Sequence, residues 1–272
     1  MAAVDNLGIL FASFGTSYDD ARARCIDAVA ADLRSAFPEA ALAQAYTSSI
    51  VRRVLGRRGA QVDDARGALV RLAAQGVRNV IVQPGHLMPG HEYDKLRRQV
   101  SACAGVFDHV RVGEPLVAST DDVHRLVDLM VAEYSRKQGR AVVLMGHGTD
   151  HFANVVYEAM NFYARVIGRD DMLIGTVESQ PSLATLLRLM REHGGIERVT
   201  LAPLMLVAGD HATNDMAGGD SRSWASQLQA AGYEVTCVMR GLGEMPAVRR
   251  MYVEKARAAL GGRDVAAEAG AQ

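Results

Sequence analysis

Cysteine is scarce in this chain. Cys25, Cys103 and Cys237 are the only three in 272 residues, and no two form a C-x-x-C pair. That spacing argues against a disulfide framework, an iron–sulfur cluster and a structural zinc site. Cys25 and Cys237 fall in apolar-periodic stretches and read as inert core thiols. An excess of charge of one sign is also lacking: 30 Lys and Arg stand against 31 Asp and Glu, a net charge of −1. The overall field therefore gives no support for nucleic acid or a membrane surface as partner, since both require a basic face. No apolar run approaches the roughly 20 residues of a membrane span, and residues 1–6 lack the basic segment of a secretory signal. A cytoplasmic setting is the expectation. G-x-G-x-x-G, Walker A, G-x-S-x-G and H-E-x-x-H are all missing, and no organic cofactor is expected. His91-Glu92 begins like the last of these, but Lys95 stands where the second His would be.

What the chain does have is an alternation of short Val/Ile/Leu-rich runs with amphipathic helical stretches. With 49% apolar and 22% charged residues it can bury a large core, as one large domain or two ordinary ones. The spacing predicts strands at 8–14, 41–47, 78–83, 109–113, 141–145, 172–177, 198–206 and 234–239. Between them, Ile26, Val29, Ala30, Leu33 and Phe37 share one helical face in 20–37. Val123, Leu126, Val127, Met130, Val131 and Tyr134 do so in 119–135, behind a Ser119/Asp122 capping box. Pro181 is expected as a first helical residue, with Gly194-Gly195 ending that helix. Alternating β and α implies parallel sheets with helices on both faces.

The chain also reads twice. GILFASFGTS near the start matches AVVLMGHGTD at 141–150, AQAYTSS matches GTVESQP at 175–181, and VRNVIVQPGHLMPGHEYD matches ERVTLAPLMLVAGDHATND at 197–215. The expected fold is α/β with two similar βα lobes, each a four-stranded parallel sheet flanked by helices. The lobes are expected at 1–138 and 139–272, with a ligand cleft between them and the last helix, 246–260, packing back on the first. The segment 261–272 reads as a small, polar tail.

Metal-capable side chains concentrate in the second half, each just past a strand: His147, Glu178 and His211. Strand C-termini of a parallel sheet share one crevice. Two imidazoles and a carboxylate there suit a borderline divalent ion such as Co²⁺, Fe²⁺, Ni²⁺ or Zn²⁺. Taken singly, each has another reading, a capping or packing histidine and a helix-terminal charge. The first half offers His86, His91 and Glu92, with Tyr46 and Thr47 near the place of Glu178. The Gly15-Thr16 and Gly148-Thr149 turns enter helices, so their N–H groups could bind carboxylates. His151 reads equally as a substrate contact or a helix-start residue. Arg52-Arg53 and Arg57-Arg58 read as a solvated helix face or an anion-binding rim. Met88 is among the methionines that could line a flat apolar ligand's pocket.

FASFGTS, MGHGTDHFANVVYEAMNFY, GTVESQPS and LAPLMLVAGDHATNDMAGGD closely resemble the anaerobic sirohydrochlorin cobaltochelatases of the CbiK type, class II chelatases related in fold to ferrochelatase. The resemblance covers nearly the whole chain. It implies a two-lobed chelatase fold and insertion of Co²⁺ into sirohydrochlorin in anaerobic cobalamin biosynthesis. Sirohydrochlorin and a divalent metal would be its substrates, Fe²⁺ remaining possible, and a homo-oligomer is possible. It carries metal ligation onto His147, Glu178 and His211, which would also accept pyrrole protons. Glu92 would contact the macrocycle or remove a proton, and Gly15, Thr16, His86, Met88, Gly148 and Thr149 would bind substrate. Within Gln83–Tyr93, His86, Glu92 and Tyr93 follow the family pattern, while His91 stands where the family has an acidic residue. A ferrochelatase-type enzyme of sirohaem or haem synthesis, or a non-catalytic tetrapyrrole or metal carrier, are the alternative readings.

Overall fold

The structure is a computed structural model that describes residues 6–262 and 264–265; most of the expected tail lies outside them. The chain divides into two compact units, Met1–Ala118 with Pro246–Gln272, and Ser119–Met245. The first unit opens with β1 (Leu7–Ser13). A helix follows that runs from α1 (Asp19–Ala21) through a π-helical stretch (Arg22–Asp27) into α2 (Ala28–Ala36). Then come β2 (Ala41–Tyr46), α3 (Ser49–Arg57), α4 (Ala65–Ala74), β3 (Asn79–Pro84), α5 (His91–Ser101) and β4 (His109–Val112). The second unit holds α6 (Thr120–Glu133), β5 (Arg140–Gly146), α7 (Val155–Val166), β6 (Met172–Thr176), α8 (Leu183–His193), β7 (Arg198–Pro203), α9 (Trp224–Ala230) and β8 (Glu234–Cys237). The chain returns to the first unit with α10 (Pro246–Ala259).

Both sheets are four-stranded and parallel throughout, ordered β2-β1-β3-β4 and β6-β5-β7-β8. The internal repeat read in the sequence is thus a repeat of topology, strand for strand. The strands are nearly continuous apolar runs because helices cover both faces. In the first unit Leu10, Val80, Val82, Leu69, Leu72 and Leu96 form one core, and in the second Val143, Met145, Leu186, Met190, Leu201 and Leu228 form another. Each such side chain contributes roughly 1.5–3 kcal/mol on full burial. α10 packs on α2 and β3. Its Tyr252 hydroxyl donates to the Gly85 carbonyl at 3.1 Å, and Arg249 pairs with Asp32 at 2.8 Å.

Three expectations need correction. The unit boundary lies between residues 118 and 119 rather than at 138. α6 contacts α7, with His124 stacked on Tyr163 and the Tyr163 hydroxyl donating to Asp128, and buried Arg169, paired with Asp171, donates to the carbonyls of Val131 in the last turn of α6 and Tyr134 just beyond it. β7 stops at Pro203 rather than reaching residue 206. Leu204 N–H still donates to Met145, but the carbonyls of Met205 and Leu206 accept from Leu242 and Gly243 instead of a strand. Pro181 precedes α8 rather than starting it: Ser182 is the N-cap, accepting from Thr185 N–H. The Pro181 carbonyl is engaged by Thr176 N–H at 2.7 Å. The Ser119/Asp122 capping box forms in both directions.

Candidate metal centre

β5 ends in Gly146, and His147 follows it. The chain then turns at Gly148, whose φ of +84° lies in the left-handed region. A Cβ at Gly148 would come 2.8 Å from Thr176 Cβ, so only glycine fits. Gly146 is similarly closed by Tyr157, whose ring would lie 2.3 Å from an added Cβ. This tight turn fixes the direction in which His147 leaves the sheet. Its carbonyl accepts from Glu178 N–H at 2.9 Å, which ties the end of β5 to the segment after β6. His211 lies past β7, where a second π-helical stretch (Ala212–Met216) follows it. π-Turns of this kind occur often at functional sites.

These three segments bring His147, Glu178 and His211 together: one donor atom from each lies within 4.8 Å of the other two. The imidazole centroids are 4.5 Å apart with perpendicular planes. His147 Nδ1 is 2.9 Å from the Gly148 carbonyl and 3.5 Å from Glu178 Oε2. His211 Nδ1 is 2.7 Å from Asp215 Oδ2. A carbonyl and a carboxylate can only accept, so both rings carry their proton on Nδ1 and their lone pair on Nε2. The side chains of His147, Glu178 and His211 are 39%, 54% and 30% exposed, open enough for an ion to arrive and leave. Asp215 was missed in the sequence reading. Its i+4 spacing from His211 was the available signal, since it gives the carboxylate–histidine pairing that fixes a metal-binding ring.

The other expected residues fall elsewhere. The Gly148 and Thr149 N–H groups, expected to meet an anion, are already engaged: Gly148 with the Tyr157 hydroxyl at 3.5 Å and Thr149 with Asn154 Oδ1 at 3.0 Å. They shape the turn. His151 caps the following turn, its Nδ1 accepting from Ala153 N–H at 3.0 Å. Burial pushes the Tyr157 phenol up to about 12, so it stays protonated beneath the loop. In the first unit Gly15 makes the matching turn at φ +93°, and Thr16 is buried with its hydroxyl accepting from Tyr18 N–H. Met88 is buried.

The strand-end bonds recur in the first unit and give the equivalences. Ser48 N–H donates to the Phe14 carbonyl, as Glu178 N–H does to His147. Ser48 and Phe14 therefore take the places of Glu178 and His147; Ser48, rather than Tyr46 or Thr47, is the counterpart. Glu92 lies as far past Pro84 as His211 lies past Pro203. Here the group beside the carboxylate is an internal cation. Lys95 Nζ donates to the Thr47 carbonyl at 2.6 Å and lies 3.4 Å from both Glu92 oxygens. Lys95 was noted in the sequence only as the residue that spoils a zinc motif. His86 Nε2 sits 3.3 Å from the Thr47 hydroxyl, and its Nδ1 is sealed from solvent with no hydrogen-bond partner. Although the residue is half-buried overall, this desolvation pushes its imidazole down to about 4, partly offset by Glu92.

The cobalt chelatase (CbiK) family model matches residues 7–261. The sirohydrochlorin cobaltochelatase of Salmonella typhimurium is 39% identical over 254 residues, covering 93% of this chain and 96% of that protein. The sirohydrochlorin cobaltochelatase CbiKC of Nitratidesulfovibrio vulgaris is 35% identical over 265 residues, covering 94% and 92%. Among solved structures, SirB from Bacillus subtilis with Fe³⁺ aligns at TM-score 0.64 and 14% identity, over 98% of each chain. The sirohydrochlorin chelatase SirB from Bacillus subtilis subspecies spizizenii, in complex with cobalt, aligns at 0.61 and 15%, over 96% of this chain and 99% of that one. At such identities the structural likeness speaks for the fold.

Proposed function

The chain belongs to the cobalt chelatase (CbiK) family, and from that premise we propose that it inserts Co²⁺ into sirohydrochlorin, releasing two protons for each ion inserted. The observation that carries the reading is the convergence of two imidazoles and one carboxylate at neighbouring strand ends. Metallation requires an ion to be held, partly stripped of water, and then given up to four pyrrole nitrogens. Two neutral nitrogen donors and one anionic oxygen supply moderate ligation and leave coordination positions for water and an incoming nitrogen. As the ion leaves, the freed His147 and His211 nitrogens and the Glu178 carboxylate are bases positioned to take the pyrrole protons. Asp215 steadies His211 throughout by holding its Nδ1 proton.

Glu92 is proposed to assist proton removal or to touch the macrocycle, with Lys95 beside it. Arginine side chains are the proposed partners of the macrocycle's carboxylates. No helix among the described residues is long and apolar enough to cross a membrane, and a cytoplasmic setting belongs to the same proposal. The test is incubation of the protein with sirohydrochlorin and Co²⁺ while the tetrapyrrole absorbance is followed. The wild type is expected to convert the macrocycle over many turnovers, and His147→Ala and His211→Ala to lose the activity while keeping their circular dichroism. A spectral shift that stops at one equivalent of protein would make the chain a carrier. Wild-type rates in either variant would remove the metal centre from the mechanism.

A further inference from the structure

One sheet edge differs between the two units. β2 and β6 are corresponding edge strands, since Tyr46 pairs with Ser13 at the end of β1 as Thr176 pairs with Gly146 at the end of β5. In a parallel strand the N–H and C=O of one residue point to the same side, and successive residues alternate sides. The Thr47 and Val177 N–H groups donate inward, to the carbonyls of Ser13 and Gly146. Tyr46, Gln44 and Leu42 therefore aim their backbone groups away from the sheet, as do Thr176, Ile174 and Met172. In the second unit that outer edge is closed. Thr176 N–H donates to the Pro181 carbonyl, and Met172 N–H to the Arg169 carbonyl at 3.0 Å. Between them the Asn161 side chain stands in for a peptide group. Its oxygen accepts from Ile174 N–H at 2.8 Å and its nitrogen donates to the Ile174 carbonyl at 2.7 Å. Every residue of β6 is buried, whereas the first four residues of β2 are half-buried.

In the first unit Tyr46 N–H is engaged by the Asp63 carbonyl at 2.9 Å. The outward groups of Gln44 and Leu42 have no such partner among the described residues, and both residues line a cavity of about 480 Å³. One wall of it is the helix that runs from α1 into α2, with Arg22 and Arg34; the other is α4, with Arg71 and Leu72. Arg22 is paired with Asp27 and Arg71 with Asp63, while Arg34 pairs with no carboxylate among the described residues. We propose that this edge is a docking site for an extended acidic peptide segment of a partner protein, which adds to the first sheet as a fifth strand beside β2. An open strand edge is a template for another strand: the main chain supplies the hydrogen bonds and the alternate side chains the specificity. The Asn161 amide marks the chemistry that the matching edge takes, one acceptor and one donor placed as in a peptide. Facing residues on neighbouring strands share a face, so the peptide residue opposite Gln44 lies on the side of the Gln44 side chain. That side is the helical wall, because Gln44 Nε2 reaches Asp27 Oδ1 at 3.1 Å. A carboxylate there meets the Arg34 guanidinium. The next peptide residue points the other way, toward the core against which Ala43 and Leu72 pack, and an apolar side chain suits that face.

The proposal does not rest on the chelatase reading, because it involves none of the metal-centre residues and its readout is peptide binding. The probe is a short capped peptide of alternating glutamate and valine, titrated calorimetrically into the full chain, with amide hydrogen exchange read residue by residue. One peptide is expected to bind per chain, and exchange at the Leu42 and Gln44 amides to slow by about tenfold or more. Methylating the peptide's backbone nitrogens, or replacing its glutamates with lysines, is expected to weaken binding by about tenfold or more. Arg34→Glu is expected to do the same while leaving circular dichroism and the thermal midpoint unchanged, since Arg34 is exposed. No binding up to millimolar peptide, binding indifferent to methylation or to Arg34→Glu, or protection confined to other amides would each overturn the proposal.

Discussion

His211 shows how much of this site depends on one hydrogen bond. Its Nδ1 lies 2.7 Å from an Asp215 carboxylate that is itself 44% exposed. Asp215→Ala is expected to weaken Co²⁺ binding by about 10–100-fold, the usual cost of losing a carboxylate behind a metal-bound histidine. The thermal midpoint should barely move, since surface substitutions cost about 0.5 kcal/mol or less. Isothermal titration with Co²⁺ decides, and unchanged affinity would mean that His211 needs no such support. His86 offers a separate test through pH. Burial holds its folded value near 4, whereas an unfolded histidine titrates near 6.5. Between those values the unfolded chain binds the extra proton, so the neutral ring's contribution is intact above about 6.5 and is lost progressively as pH falls toward 4. His86→Gln is expected to flatten that part of the profile. Thermal midpoints of both proteins from pH 7 to pH 4 check it, and identical slopes would contradict it. The three candidate ligands that the structure brings together were legible in the sequence because two histidines and a glutamate each followed an apolar strand. Asp215 and Lys95 were not, because a charged residue four or three positions along a helix looks the same whether it serves a neighbour or the solvent.

At the scale of the element, the turn after β5 sets the site. Gly148→Ala would force φ +84° on a residue with a side chain and drive its Cβ to 2.8 Å from Thr176. The expected cost is on the order of 1–3 kcal/mol, together with loss of Co²⁺ binding as His147 is displaced. Denaturant unfolding and metal titration of the same variant should fail together, and intact metal binding would show that the turn does not aim the histidine. Strands were readable to within a residue or two, since short Val/Ile/Leu runs bounded by turn residues have few other solutions. β7 was overestimated because Leu204–Leu206 is as apolar as the strand itself. The π-helical stretches at Arg22–Asp27 and Ala212–Met216 left no trace in the pattern, because one extra residue in a turn blurs a 3.6-residue period without breaking it.

For the molecule as a whole, duplication of the topology with divergence of the strand ends predicts a single metal site per chain. The first unit carries Phe14 and Ser48 where the second carries His147 and Glu178, and it places the Lys95 ammonium beside Glu92. Co²⁺ titration is therefore expected to saturate at one equivalent, and a second site of similar affinity would refute the equivalence drawn between the halves. The doubled strand order could be read from matching segments. Membership of α6 could not, because an amphipathic face says that a helix is buried and not against which neighbour. The most direct test of the central claim is anomalous diffraction at the cobalt edge from crystals of the Co²⁺-loaded protein. The account predicts one strong peak about 2.0–2.2 Å from Nε2 of His147, Nε2 of His211 and an oxygen of Glu178, the bond lengths of borderline divalent ions to such donors. A peak bound by other residues, with these three side chains uninvolved, would contradict it.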